Sequence, residues 1–124
     1  MFRFAQHDVT YALYHAPFAL VSHGTEPDPI FRYANLTAQK LWGIGRDEFM
    51  CMPSRLTAEP VATEERQRLL DEATRKGYVD NYQGVRITKE GKRFLIKDTI
   101  LWNVVDADGI KHGQAAMIKS WEWL

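Results

Sequence analysis

Cysteine and excess charge are the two features that this sequence most clearly lacks. Its 124 residues contain one cysteine, Cys51, so no internal disulfide bond can form, and a reducing compartment fits. Lys and Arg together number 16, and so do Asp and Glu. A chain with balanced charges has no overall field that would attract nucleic acid or an anionic membrane. We therefore expect neither of them as a partner.

Long hydrophobic runs are also missing. The N-terminal stretch 1–24 carries many apolar residues, but Arg3, Asp8, His15 and Pro17 interrupt it. It therefore contains neither the continuous apolar core of a signal peptide nor a membrane span. From this we expect a cytoplasmic protein.

Histidines and cysteine do not occur at the spacing of a metal site. His7, His15, His23 and His112 are scattered one at a time, and none has a second His or a Cys at ligand spacing. The sequence therefore predicts no metal site.

The sequence does contain a long C-terminal stretch, 82–121, with the pattern of three antiparallel strands. Apolar and polar residues alternate on both sides of Glu90-Gly91, and Asp106-Ala107-Asp108-Gly109 has the composition of a second tight turn. A two-residue turn at Glu90-Gly91 would set Ile87 opposite Phe94, whereas a three-residue turn with a bulge at the glycine would shift this register by one. Because such a meander leaves one apolar face in water, the first half of the chain must supply a cover.

The first half of the chain is predicted to supply two further strands and several helices. Apolar runs at 18–22 and 30–34, separated by a turn with two prolines, predict a hairpin that joins the sheet. Capping residues, acidic first turns and glycine terminators mark the helices. The predicted helices are a short one within residues 2–16 that stops at Pro17, one from Asn35 to Gly43, a short one from about Asp47, and one from Thr63 to Gly77. The segment 53–62, with two prolines, is predicted to be either irregular or a single turn.

One domain accounts for the whole chain. A chain of 124 residues can bury roughly two-thirds of the surface that its unfolded form exposes. No linker, repeat or low-complexity segment divides it. We predict a single domain over 1–124, with residues 1–16 as an N-terminal extension that has a helical pattern. The fold class is α+β, a five-stranded antiparallel sheet with helices covering one face.

This order of elements resembles that of PAS domains. From about residue 12 onward the chain resembles one PAS-like family more specifically, the MEKHLA domain. That family occurs as small bacterial proteins and at the C-terminus of plant homeodomain leucine-zipper regulators, and the chain resembles the small stand-alone bacterial type. The resemblance implies the fold and a sensory or regulatory role, and it implies no established ligand or reaction. The blocks that carry it are FALVSHG (18–24), PDPIFRYANLTAQKLW (27–42), PSRLTAEPV (53–61), ERQRLL (65–70), GVRI (84–87), KRFLI (92–96), WNVVDADG (102–109) and GQAAM (113–117).

Because PAS domains can bind flavin or haem, the resemblance leads us to ask whether this chain could bind either cofactor. Light-sensing PAS domains carry flavin and a reactive cysteine. When residues 47–56 are laid on that motif, Ser54 takes the place of the cysteine, and Cys51 lies three residues early. A serine cannot form the thiol adduct, which disfavours photoadduct chemistry. Haem-binding PAS domains commonly ligate iron through a histidine on or near the long helix, and residues 62–77 contain none. The cofactor stays unknown.

The function that we predict is binding of a small, mostly apolar ligand between the helices and the sheet. Aromatic side chains line such a cavity or pack as ordinary core. Asp98 lies between Ile96 and Ile100 on the apolar face of its strand. Its carboxylate contacts a ligand, is paired inside the fold, or marks a bulge that turns it outward. Gln114 and Asn103 either act as polar contacts or satisfy backbone groups. The predicted pocket consists of Phe31, Tyr33, Leu41, Trp42, Phe49, Arg86, Phe94, Asp98, Trp102 and Gln114.

Two arginines within the family blocks, Arg55 and Arg86, have two interpretations. At the rim of a pocket, an arginine holds a carboxylate or a phosphate in a fork. Otherwise it forms a salt bridge with a surface acid such as Glu48 or Glu59.

Two other functions compete with ligand binding. A solid core would make the chain an interaction module that acts through the exposed back of the sheet or through a terminal segment, where Trp121 and Trp123 suit a homodimer or partner surface. A small enzyme would use Asp98 or His23 as a base. The sequence offers no convincing second group for such chemistry, so we predict that the protein is not an enzyme.

Overall fold

The computed structural model describes residues 9–59 and 63–124. Five strands form one antiparallel sheet in the order β2-β1-β5-β4-β3. The long strand β5 pairs with β1 on one side and with β4 on the other, so it joins the N-terminal hairpin to the C-terminal meander. The predicted sheet is therefore confirmed. Its strands are β1 (Ala19–His23), β2 (Phe31–Ala34), β3 (Tyr78–Ile87), β4 (Arg93–Val105) and β5 (Lys111–Trp123).

The helices lie where the capping signals predict them. Within the residues that the structure describes, no helix has both the length and the apolar character needed to cross a membrane. The predicted helix within 2–16 is seen over residues 9–14, and residues 1–8 lie outside the described range. The helices are α1 (9–14), α2 (Leu36–Trp42), α3 (Arg46–Phe49), one 3-10 turn (Ser54–Thr57) and α4 (Thr63–Lys76).

Asn35 caps α2, as predicted, and also ties three segments together. Its Oδ1 accepts hydrogen bonds from the backbone N–H of Ala38 in α2 and of Leu20 in β1, each at 3.0 Å. Its Nδ2 donates to the carbonyl oxygens of Leu13 and Phe18. The side chain is fully buried. All its polar atoms are therefore satisfied, and it fixes α1 and β1 against the start of α2.

The turn between β3 and β4 is the three-residue form. Arg86 pairs with Phe94 and Gly84 pairs with Ile96. Gly91 has a φ of 88°, in the left-handed region that this loop requires. The alternative two-residue turn, which would set Ile87 opposite Phe94, is wrong because the loop contains one residue more.

The helices cover one face of the sheet, here called the inner face. The helices α2 and α3 pack near β1 and β2, and α4 packs near β3 and β4. Leu101 of β4 and Ala116 of β5 point to this side, where they pack against the core. Since side chains alternate along a strand, their neighbours Trp102 and Ala115 lie on the opposite, outer face.

A bulge in β4 changes this alternation at Asp98. Asp98 has a φ of 49°, and on the neighbouring strand Asn81 has a φ of 52°. The register between β3 and β4 shifts twice, once on each side of the Tyr82–Thr99 pair. Thr99 is consequently the buried residue, and Asp98 is exposed. The placement of Asp98 and Trp102 on the same face as Phe94 is therefore corrected, and of the three interpretations of Asp98 the outward bulge holds.

Candidate ligand site

Four aromatic side chains form a connected line across the inner face, here called the aromatic row. Phe31 lies 4.8 Å from Phe49, Phe49 lies 5.8 Å from Trp42, and Trp42 lies 5.4 Å from Phe94, measured between ring centroids. All three contacts are edge-on, and none of the rings is more than 4% exposed. With Leu41, which is also buried, they are half of the predicted pocket residues. The structure brings these five together as packed core.

Three polar side chains lie in register across the inner face, here called the polar row. His23 of β1 is paired with Gln114 of β5, and Gln114 is paired with Asn103 of β4. Directly paired residues lie on the same face, and all three are partly buried. Asn103 Oδ1 is buried and has no hydrogen-bond partner among the described residues. The polar row therefore carries a buried acceptor that no described residue satisfies.

The inner face beside the polar row is apolar and is covered by α4. Ala73 of α4 is buried, and Leu69 packs against the core from the same helix. On the sheet, Leu101 and Ala116 form the row next to Asn103 and Gln114. None of these four apolar side chains was among the predicted pocket residues, and of the two polar side chains only Gln114 was.

Arg86 lies at the edge of the same face. It is paired with Phe94 on β4, and its guanidinium carbon lies 5.6 Å from the centroid of the Tyr82 ring. Its Nη1 donates to the carbonyl oxygen of Val85 at 3.1 Å. The arginine is half-buried and, within the described residues, it has no ion pair. Of the predicted polar contacts, Arg86 and Gln114 therefore face the helices.

The remaining predicted residues lie elsewhere. Asp98 accepts a hydrogen bond from Ser120 Oγ at 3.0 Å on the exposed side of the bulge. Trp102 lies on the outer face, and Tyr33 lies beside α1. Arg55 forms a salt bridge with Asp28, with Nε 3.1 Å from Oδ1, which agrees with the interpretation of Arg55 as the partner of a surface acid.

The residues near the 3-10 turn do not fit a flavin adduct. Ser54, at the position of the reactive cysteine, begins this turn. The chain has no other thiol than Cys51, and Cys51 is exposed. No thiol is therefore available where the adduct would form.

Sequence reasoning missed a cleft between α1, β2 and α3. It is lined by residues that include Tyr14, Tyr33 and Arg46. Only Tyr33 was among the predicted site residues. The helical pattern of α1 was weak, and the sequence did not indicate that α1 would lie against α3.

Comparison with solved structures agrees with this architecture. The PAS domain of a protein from Colwellia psychrerythraea is 14% identical, with 97% of each chain covered and a TM-score of 0.76. An RNA-binding light-oxygen-voltage receptor is 22% identical, with a TM-score of 0.77 over 94% of this chain and 33% of the receptor. A light-oxygen-voltage domain studied with a flavin analogue is 16% identical, with a TM-score of 0.68 over 94% of this chain and 84% of that domain. At these identities the likeness shows the PAS fold alone.

Comparison with protein sequences identifies the family. A search of curated proteins finds no match. The family model of the MEKHLA domain matches residues 3–123, which is nearly the whole chain. The blocks of sequence, the strand order and the helices over one face agree with that match, and the chain belongs to the MEKHLA domain family.

Proposed function

We propose that this chain is a cytoplasmic sensory or regulatory module that binds a small, mostly apolar molecule between α4 and the sheet. The observation that carries the proposal is the buried Oδ1 of Asn103, which has no partner among the described residues. An unsatisfied buried acceptor costs about 1–3 kcal/mol, and a ligand hydroxyl or amide N–H that donates to it would remove this cost. A water molecule could donate the same hydrogen bond. A ligand binds in preference to water if the rest of its surface is apolar, because that surface is then also removed from water.

The surroundings of Asn103 support a ligand of this kind. Leu69, Leu101 and Ala116 supply apolar contacts, and Gln114 supplies a second polar group next to Asn103. Arg86 lies too far away to join this site, because its partner Phe94 stands nine residues from Asn103 along β4. A mostly apolar site with a few polar groups is the usual composition of a small-molecule pocket.

We also propose that the protein is not an enzyme. Asp98, the acid that sequence reasoning considered as a base, is exposed on its bulge and bound to Ser120. His23 uses its Nδ1 in a hydrogen bond to the carbonyl oxygen of Gly24 at 3.0 Å. Among the described residues, neither side chain forms a hydrogen bond or ion pair with a second titratable group that could move a proton to a bound molecule.

Native mass spectrometry of freshly purified protein, compared with its denatured mass, tests ligand binding. We expect extra mass that is lost on denaturation and that Asn103→Leu reduces, because the substitution removes the acceptor. Asp98→Ala is the matched control and should retain the extra mass, since Asp98 points away from the site. Bare chains in the native spectrum, or equal loss in both variants, would contradict the proposal.

A second candidate function, homodimerisation, rests on the outer face of the sheet. Leu20, Met117 and Ile100 form one row across three strands, and Trp102 lies in the next row beside Tyr78. Tyr78 is 44% exposed and the other four are partly exposed. A continuous apolar patch of this kind is typical of an interaction surface.

Charge favours a second copy of the chain as the occupant of this face. The ion pair between Lys97 and Glu122 lies at one end of the sheet and offers both signs to a two-fold partner.

The predicted surface at Trp121 and Trp123 is smaller than expected, because Trp121 packs against the core and only Trp123 is largely exposed. Sedimentation analysis of Trp102→Glu and Trp123→Ala separates the two surfaces. Loss of a dimer in Trp102→Glu alone supports the outer face, and a wild-type monomer rules dimerisation out.

A further inference from the structure

The cleft between α1, β2 and α3, here called the α1 cleft, is separate from the site under α4. Its volume is about 440 Å³, which lies in the range of small-molecule pockets. Helix α1 contributes Tyr11 and Tyr14, β2 contributes Arg32 and Tyr33, and Arg46 enters from α3. The cleft therefore combines aromatic walls with two guanidinium groups.

The charge of the α1 cleft is positive. Among the described residues that line it there is no Asp or Glu. Arg32 is compensated, because its Nη2 lies 3.0 Å from Glu26 Oε2. Arg46 has no ion pair in the described part of the chain and is exposed. Among the described residues of the cleft, Arg46 is thus the guanidinium without a carboxylate partner, and a guanidinium prefers a carboxylate that it can bind with two parallel hydrogen bonds.

The hydroxyl groups of the α1 cleft are arranged as donors. Gln39 Nε2 donates to the Tyr14 hydroxyl at 3.0 Å and also to the carbonyl oxygen of Ala34, so the amide is fixed by two bonds. The Tyr14 oxygen is then an acceptor for Gln39, and its own hydrogen is free to point into the cleft. Burial, together with the neighbouring Tyr14, raises the pKa of the Tyr33 phenol, so this group also stays protonated.

The walls of the α1 cleft suit a flat apolar group. The ring of Tyr11 lies 4.3 Å from that of His15, and Tyr14 meets the same histidine edge-on at 5.2 Å. Rings that are already packed against one another lose little conformational freedom when a ligand binds. Met50 closes the cleft on the α3 side with an adaptable apolar side chain.

We propose that the α1 cleft binds a small aromatic carboxylate, whose carboxylate pairs with Arg46 and the tyrosine hydroxyls while its ring contacts Tyr11 and Met50. The geometry that carries this is the convergence of two hydroxyl donors and one guanidinium, which has no ion pair among the described residues, on an aromatic-walled cleft whose described lining contains no acid. This site would act in addition to the one proposed under α4 and does not depend on it.

The test is a titration of the full ¹⁵N-labelled chain with naphthalene-2-carboxylate and with naphthalene-2-carboxamide, followed by two-dimensional NMR. We expect saturable shifts of amides in α1, β2 and α3 with the carboxylate and much weaker binding of the neutral amide. Arg46→Gln should weaken carboxylate binding about tenfold or more, as expected for loss of a charge-assisted pair. Tyr14→Phe should weaken it by a smaller factor, because the ring is kept.

Arg55→Gln is the matched control, since Arg55 is an exposed arginine that pairs with Asp28 outside the cleft. It should leave binding unchanged. Several outcomes would overturn the proposal: no saturable shift with millimolar carboxylate, equal binding of the amide, equal effects of Arg46→Gln and Arg55→Gln, or shifts confined to α4 and the polar row. The last outcome would instead support the site under α4, so failure of one proposal is distinguishable from failure of the other.

Discussion

The aromatic row and the polar row share the inner face of one sheet, but they differ in how completely their atoms are satisfied. In the aromatic row, each ring contacts the next, and Trp42 Nε1 donates to the carbonyl oxygen of Thr57 at 3.3 Å. In the polar row, Asn103 Oδ1 is buried without a partner in the described residues. The aromatic row therefore contributes to stability, and the polar row keeps a hydrogen-bonding group that no described residue uses.

This comparison predicts that the largest loss of stability follows removal of the Trp42 side chain. Trp42→Ala should lower the free energy of unfolding by about 3–5 kcal/mol, because it removes a 1% exposed side chain from the centre of the aromatic row. Urea denaturation followed by circular dichroism measures this. Trp123→Ala is the matched control and should cost about 1 kcal/mol, since its side chain is 53% exposed. Similar losses for both tryptophans would contradict the role given to the aromatic row.

A smaller effect is expected where the backbone of β5 approaches β1 beside the polar row. A Cβ at Gly113 would lie 2.0 Å from the carbonyl oxygen of His23, and backbone cannot move away cheaply. Gly113→Ala should therefore destabilise the fold by about 1–3 kcal/mol. A Cβ at Gly84 would meet only the far ends of the Tyr82 and Arg86 side chains, so Gly84→Ala should cost less. Thermal unfolding of both variants decides this, and the reverse order would show that the β1–β5 contact is looser than described.

The aromatic row was predictable from the sequence, and so were the elements that hold it. Apolar periodicity, the Asn35 cap and the Gly43 terminator each act within a few residues, and tertiary packing did not override them. The three-residue turn at Gly91 was one of two predicted forms. Local signals of this kind are what a sequence displays most directly.

The polar row and the bulge at Asp98 depend on pairing between strands, which the sequence displays poorly. Ile100, Leu101 and Trp102 are all apolar, so the pattern does not say which of them points inward. The one available signal was a pair of residues that tolerate positive φ, Asp98 and Asn81, on strands that turned out to be neighbours. The α1 cleft was missed for a related reason, since it forms only when α1 packs against elements more than 15 residues away.

Asn103 and Asn35 allow a direct comparison between a buried asparagine oxygen without a described partner and a buried asparagine whose polar atoms are all hydrogen-bonded. Asn103→Leu should leave the free energy of unfolding of the ligand-free protein unchanged or raise it by up to about 1 kcal/mol, because an unpartnered acceptor is replaced by an apolar group. Asn35→Leu, in contrast, breaks four hydrogen bonds of a fully buried side chain and should destabilise strongly. Denaturant titration of both variants is the measurement. If Asn103→Leu were as damaging as Asn35→Leu, the polar row would be structural.

The smallest effect concerns the exposed ion pair of Glu59, which lies on the chain before α4. Glu59 pairs with Arg93 of β4, and this hydrogen bond, with the charge of Arg93, lowers the pKa of the Glu59 carboxyl. A carboxyl with a lowered pKa in the folded state contributes stability above its unfolded pKa and loses that contribution as pH falls through the folded pKa. Glu59→Gln should therefore reduce stability slightly near neutral pH and not at all in strong acid, as measured by urea midpoints across pH. Because the pair is exposed, the difference should shrink in high salt. A difference that is constant with pH would mean that Glu59 acts by packing and that its charge does not hold the chain before α4 to the sheet.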